Sequence, residues 1–247
     1  MSVEPAIYRR DFAQLYNDRW GFFDWKMWPF VARVAVKHNR GARTWLDLCC
    51  GAGSLLRLVC KAGLDVTGVD RSPHQLRHAR RNAPGAKLVR ADVRTFRLPA
   101  RFDVITCLFD SFNYLLLPRD LERAFRNARR HLDPKGLFIF DMNVLEGYKA
   151  RWHGAWTVRE PRRFAFMESF FDEDRLEGRL LVTGFLREGR LYRKFEEEHV
   201  QRAYRPEEIE QALGRAGFQF RKYDGGRLTR PRKKSARLVY VCRAKGR

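Results

Sequence analysis

Three carboxylates and two glycines carry the most chemical information in this chain. Thr44-Trp45-Leu46-Asp47-Leu48-Cys49-Cys50-Gly51-Ala52-Gly53-Ser54 reads as a buried strand that breaks into a glycine turn and restarts as a helix. Glycine has no side chain and accepts positive φ, so backbone amides around Gly51 and Gly53 can approach a ligand closely. Asp70 ends a second strand-like run, at the sequence distance expected of a carboxylate that accepts ribose hydroxyls. A dinucleotide fingerprint wants Gly or Ala three residues after Gly53, and the chain has Leu56 there, which disfavours NAD. Asp92 follows a third strand, and Phe102-Asp103-Val104-Ile105-Thr106-Cys107-Leu108-Phe109-Asp110 forms a fourth. Any one of these acids, taken singly, also fits a strand-end residue capping a turn.

Taken together, Asp47, Gly51, Gly53, Asp70, Asp92 and the fourth strand resemble a class I S-adenosylmethionine-dependent methyltransferase, specifically over about residues 44–143 and more loosely elsewhere. The resemblance implies S-adenosylmethionine as cofactor and assigns roles. Gly51 and Gly53 allow close approach of its methionine and adenosine parts, Asp47 holds the amino group, and Asp70, beside Arg71, accepts the ribose hydroxyls. Asp92 meets the adenine amino group, Val93 positions the ring, and the backbone at Leu108 and Phe109 lines the methionine end. In many such enzymes an N-terminal helix covers the cofactor, which makes Tyr8, Tyr16 and Trp20 pocket-closing residues; the bland reading packs these aromatics on the core.

The acceptor side is less explicit. Glu197-Glu198-His199-Val200-Gln201-Arg202-Ala203-Tyr204 resembles a Glu-x-His-x-x-Arg-x-Tyr segment of a bacterial small-molecule methyltransferase branch. It implies His199, Arg202 and Tyr204 as catalytic, acceptor-side residues, with His199 as a base for a hydroxyl or a protonated amine. The competing reading pairs His199 with Glu197 on a solvated sheet face. The segment Asp110-Ser111-Phe112-Asn113-Tyr114 lacks the Pro-Pro of enzymes that methylate exocyclic amines of nucleobases, which lowers that acceptor class. Cys107 sits inside an apolar strand and reads as core rather than as a thiolate nucleophile. His74 and His78 share a helix face but have no third ligand, so no metal is expected.

Regular elements must position these residues. Strands near 44–49, 65–69, 87–91, 102–108 and 136–142 alternate with helices at 54–62, 73–82 and 118–131, which means a parallel sheet covered on both faces. Apolar spacing predicts a helix from Pro5 to Trp20, broken at Gly21 before an aromatic cluster, and a further helix from Pro29 to His38. After Met142 the alternation stops, and residues 151–204 read as an antiparallel meander with turns at 172–175 and 187–190. A helix opening at Pro206 and a terminal hairpin, with a basic loop over 225–234, complete the chain. The expected fold is α/β, a Rossmann-like seven-stranded methyltransferase sheet plus an inserted β meander. Its parts are an N-terminal helical lid (1–40), a cofactor-binding core (41–143 and 204–247) and a β-rich substrate cover (144–203).

Composition bounds the partners. The 247 residues can bury one substantial core, and 50 Lys+Arg against 29 Asp+Glu give a net charge of +21. That excess is spread along the chain, and it would serve RNA or another acidic partner or simply be an arginine-rich surface. No apolar stretch reaches the ~20 residues that span a bilayer. Five cysteines without Cys-x-x-Cys spacing read as reduced thiols, and a cytoplasmic protein, monomer or homodimer, is expected. The leading reading is methyl transfer to O or N of a small-molecule acceptor. The alternatives are an RNA methyltransferase and a non-catalytic S-adenosylmethionine-binding protein.

Overall fold

A computed structural model describes residues 7–246. The chain begins with α1 (Arg10–Arg19) and α2 (Phe22–His38), then alternates β1 (Thr44–Leu48), α3 (Ser54–Lys61), β2 (Asp65–Asp70), α4 (Pro73–Asn82), β3 (Lys87–Arg90), β4 (Phe102–Cys107), α5 (Pro118–His131) and β5 (Leu132–Asn143). A short α6 (Leu145–Arg151) leads to β6 (Gly154–Glu160), β7 (Arg163–Asp172), β8 (Glu177–Glu188) and β9 (Leu191–Arg202). The last elements are α7 (Pro206–Arg215), β10 (Phe218–Asp224) and β11 (Arg237–Ala244). Seven strands form one sheet in the order β10-β11-β5-β4-β1-β2-β3, and β6 to β9 form a separate four-stranded antiparallel sheet. The expected seven-stranded sheet and inserted meander are both present, and β11 runs antiparallel to both of its neighbours, which makes the sheet mixed.

Local chemistry explains the elements. In α5, Leu121, Ala124, Phe125 and Ala128 repeat at helical spacing and are fully buried, while Pro118 opens the first turn and Arg129, Arg130 and His131 close the last. Ser72 caps α4 by accepting the Gln75 amide at 3.2 Å. In β7, Ala165, Met167 and Ser169 are buried while Phe164, Phe166 and Phe170 face out, the period-2 alternation of a half-covered sheet.

The N-terminal region differs from expectation. α2 starts at Phe22 and runs through Pro29 without a break, so the aromatic cluster belongs to the helix. Proline removes the hydrogen bond to the Trp25 carbonyl four residues earlier and crowds it; the Trp25 side chain there is half exposed and lies under the Arg57 guanidinium. The first helix starts at Arg10, and residues 1–6 of the expected lid lie outside the described residues. Phe12 and Leu15 of α1 pack with Val158, Ala165, Met167 and Val182 of the meander, so the helix is clamped against that second sheet.

The parallel strands point their carboxyl ends to one edge, and β1 and β4 are the adjacent pair at which strand order reverses. Open α/β sheets bind ligands in the crevice at that point.

Candidate active site

Two contiguous hollows lie at this edge and share Tyr16, Cys49, Gly51 and Ser111. The larger, about 750 Å³ including space open to solvent, reaches Asp70, Arg71, Asp92 and Val93 and is roofed by Tyr8. The smaller, about 350 Å³, lies beyond β1 against Asp24, Asp47, Leu108 and Phe109.

Backbone shape builds the floor. Cys49 and Gly51 take left-handed φ of 54° and 51°, which turns the chain away from β1 after the Cys50 amide has made a last bond to the Val69 carbonyl of β2 at 3.1 Å. The Gly51 amide donates to Asp70 Oδ2 at 2.9 Å, and Ser72 N–H donates to Oδ1 at 2.8 Å. A carboxylate has about four lone-pair sites, so Asp70 keeps acceptor capacity toward the hollow. Gly53 does not line either hollow. A Cβ there would lie 2.9 Å from the Ala79 backbone, so its glycine serves the packing of α3 on α4 rather than approach of a ligand.

Asp47 is buried at the base and accepts from Thr106 Oγ1 at 2.7 Å. Asp92 lines the far end of the larger hollow with its carboxylate forked by Arg94, at 2.9 Å to Nε and 2.7 Å to Nη2. Burial alone would raise the Asp92 pKa, and the Arg94 bonds more than offset it, so the group is held ionised. Asp103 lines neither hollow; it accepts from the amides of Arg43 and Thr44 and from the Thr44 hydroxyl, a strand-start structural acid.

Of the lid aromatics, Tyr8 and Tyr16 face the hollow, whereas Trp20 stacks behind Tyr16 at 5.9 Å between ring centroids. Tyr8 has φ of 54°, and its amide and that of Arg9 both donate to the Glu197 carboxylate, fixing the start of α1 to β9.

The acceptor-side residues divide by strand face. On β9, Glu197, His199 and Gln201 alternate inward, and His199 is only 1% exposed. Its Nδ1 meets the Tyr114 hydroxyl at 3.1 Å, and that hydroxyl meets Tyr8 Oη at 3.2 Å. His199 Nε2 lies 3.2 Å from Glu197 Oε1, close enough for an ion pair but not aligned as a hydrogen bond. His199 thus reaches the hollow only through Tyr114, and its partner Glu197 is on a buried face, not a solvated one. Arg202 and Tyr204 do not reach the hollow. Period 2 puts Arg202 on the opposite face, where it pairs with Glu208 at 3.0 Å and lies over the Tyr204 ring. Tyr204 is fully buried and donates to the Leu115 carbonyl at 2.5 Å.

A family model described as "Methyltransferase domain" matches residues 46–136. The dTDP-3-amino-3,6-dideoxy-alpha-D-glucopyranose N,N-dimethyltransferase of Streptomyces fradiae is 30% identical over 204 residues, covering 79% of this chain and 78% of that protein. The chain belongs to the class I S-adenosylmethionine-dependent methyltransferases. The dTDP-3-amino-3,4,6-trideoxy-alpha-D-glucopyranose N,N-dimethyltransferase of Streptomyces venezuelae is 29% identical, covering 79% of this methyltransferase and 84% of its own length. A crystal structure of an S-adenosylmethionine-dependent methyltransferase from Clostridium acetobutylicum ATCC 824 superposes with a TM-score of 0.82 at 27% identity, over 95% of this chain and 98% of that one.

The electrostatics of this methyltransferase fit its cofactor, which brings a sulfonium and an ammonium. Burial pushes Asp47 well above the usual carboxylate range, reinforced by the nearby charges of Asp24 and Asp70. Burial, with the Asp141 charge, pushes Asp24 up to about 7. Acids crowded together out of water are stabilised by an arriving cation. Sequence pattern does not single out Asp24 on α2, Tyr114 or Glu197 as residues of the site. Glu197 was legible from alternation along β9, which puts positions 197, 199 and 201 on one face; Asp24 was masked by reading Pro29 as a helix start. Among the described residues, no three His, Cys, Asp or Glu side chains group as a metal site, and no helix is long and apolar enough to cross a membrane.

Proposed function

We propose that this methyltransferase acts on the amino group of a small, sugar-like acceptor. The observation that carries the reading is the line Tyr8–Tyr114–His199–Glu197, which starts in the hollow and ends on a buried carboxylate. The two Streptomyces relatives are named for N,N-dimethylation of amino sugars. An amine is protonated near neutral pH and must lose a proton before it can attack a methyl group, so a proton path leading from the hollow to a buried carboxylate suits it.

In this reading the larger hollow takes the adenosine part along Asp70, Arg71, Asp92 and Val93, with Asp70 accepting ribose hydroxyls, Asp92 at the adenine amino group and Val93 against the ring, and it takes the acceptor amine on its Tyr8–Tyr114 side. The smaller takes the methionine arm, with Asp24 and Asp47 facing its ammonium, Gly51 giving close approach, and Leu108 and Phe109 lining its wall. When bound, S-adenosylmethionine supplies an electrophilic methyl group on sulfur. Tyr114, kept a neutral phenol because burial raises its pKa, accepts a proton from the amine while passing its own to His199 Nδ1. Glu197 stabilises the resulting imidazolium across 3.2 Å in a water-poor setting. Tyr8 and Tyr16 exclude water. No covalent intermediate with the protein is needed, and alignment carries most of the rate.

The lid comprises α1 and α2, the meander covers the acceptor, and the parallel sheet holds the cofactor. We place the protein in the cytoplasm, a reading supported by five unpaired cysteines. The test is incubation with methyl-labelled S-adenosylmethionine and, in parallel, a nucleotide-linked amino sugar, its hydroxyl counterpart and RNA. Label on the amino sugar alone is expected. Label on RNA would overturn the reading and give the +21 charge a phosphate-binding role.

A further inference from the structure

The turn after β4 is strained and held from outside itself. Phe109 and Asp110 are consecutive non-glycine residues with left-handed φ of 62° and 50°, a conformation that persists only when its surroundings enforce it. The enforcement comes from Asp141 on β5. Its carboxylate, fully buried, accepts the Phe109 amide at 2.6 Å and the Asp110 amide at 3.2 Å, two successive N–H groups gathered on one anion.

Burial raises the Asp141 pKa, and Arg237 works against that rise. Arg237, on β11, bridges Asp141 and Asp110, with Nη2 2.6 Å from Asp110 Oδ1. Its guanidinium also lies 4.8 Å from the ring centre of Phe23, which stacks on Phe109 at 4.7 Å and 11°. Asp110 Oδ2 accepts from Gln201 Nε2 at 2.9 Å, so the same cluster grips the meander. One largely buried arginine therefore joins the lid helix, the turn and, through Asp110, the acceptor cover.

We propose that Asp141 and Arg237 are positioning residues for methyl transfer: they hold the Phe109–Asp110 turn in the shape that forms the wall of the methionine-arm hollow, and fix the cover relative to it. This rests on reading the two hollows as the cofactor site. The turn borders only the smaller hollow, whereas Asp70, Asp92 and Val93, across β1, border the larger. Loosening the turn should therefore weaken the grip on the methionine arm and spare the adenosine grip.

The experiment measures binding calorimetrically for two probes, S-adenosylhomocysteine, which has the arm, and 5′-methylthioadenosine, which lacks it. Asp141→Asn keeps the shape but loses an anionic acceptor, and Arg237→Lys cannot span two carboxylates with a planar fork. Both are expected to weaken S-adenosylhomocysteine about ten- to a hundredfold while changing 5′-methylthioadenosine by less than about twofold. Arg237→Met strands two buried acids; where it fails to fold, Asp141→Asn decides the matter, with thermal unfolding confirming its fold. Equal weakening of both probes in a folded variant, or no weakening of either, would overturn the proposal as a merely structural role or none. A wild-type protein that binds neither probe would instead overturn the cofactor-site reading beneath it.

Discussion

Replacing Tyr114 by Phe isolates the proton path from the rest of the site. The change removes one hydroxyl, which now meets Tyr8 Oη at 3.2 Å and His199 Nδ1 at 3.1 Å, and leaves the ring and its packing in place. His199 is 1% exposed, so water does not replace the lost partner. An orphaned buried polar atom costs about 1–3 kcal/mol, which for a chain of this length lowers Tm by roughly 2–12 °C. The rate should fall further. General acid–base assistance contributes roughly a hundred- to ten-thousandfold, and a phenylalanine can neither take the amine's proton nor hand one to His199. The assay is kcat against pH, with affinity for S-adenosylhomocysteine measured alongside. The expected result is a kcat loss of at least about a hundredfold, with cofactor-product affinity unchanged within about twofold. A variant whose kcat stays within about twofold of wild type from pH 6 to 9 would refute the relay, since deprotonation would then need no protein group. Equal losses of rate and affinity would move Tyr114 from the acceptor to the cofactor.

Three further changes probe the cofactor side. Asp70→Ala removes a charged acceptor and should weaken S-adenosylhomocysteine about ten- to a hundredfold by calorimetry; unchanged affinity would exclude Asp70 from the site. Asp24 has its pKa raised from 3.8 to about 7, so the folded protein holds that proton more tightly than the unfolded chain and loses stability as pH rises between those values. Asp24→Asn should therefore stabilise the cofactor-free protein at pH 8, by up to a few kcal/mol, and leave it unchanged below about pH 4. The same substitution should abolish a rise in cofactor affinity through pH 7, where ionised Asp24 begins to offer the ammonium a counter-charge. Gly53→Ala combines φ of 80° with a Cβ 2.9 Å from the Ala79 backbone and should cost about 2 kcal/mol, or roughly 4–8 °C of Tm, without a selective loss of cofactor affinity.

The nucleotide side was legible because its signals are local. A strand, a positive-φ turn and a helix start follow one another within Thr44 to Lys61, and Asp70 and Asp92 sit near the carboxyl ends of β2 and β3 by sequence position alone. The acceptor side depends on which face of β9 docks inward, and that is decided by packing against α1, with eight strands between them in the chain. A motif reading took His199, Arg202 and Tyr204 as a set, while strand geometry separates them: His199 turns inward with Glu197 and Gln201, and Arg202 turns away. Tyr114 carried no sequence signal of its own, since an aromatic after a short 3-10 turn is ordinary; only the approach of His199 from 85 residues away gives it a role. Asp24 was hidden among aromatics, where the proline within α2 read as a boundary.

The distribution of charge bears on the acceptor more than its sum does. A chain of net charge +21 that must bind a cationic cofactor would repel it if the basic residues faced the site. Instead Asp24, Asp47, Asp70 and Asp92 line the two hollows, with Arg71 the basic residue on the larger one, Asp110 in the turn after β4 and Asp141 behind it. The arginines among them are paired: Arg94 forks Asp92, and the largely buried Arg237 is held between two carboxylates that outweigh the cost of its burial and keep it firmly protonated. Exposed cations are screened over about 8 Å at physiological salt, whereas acids inside the hollow are screened much less. The acids at the methionine-arm end therefore suit the cationic cofactor and, in the reading proposed above, an acceptor that arrives as an ammonium and becomes an amine beside Tyr114.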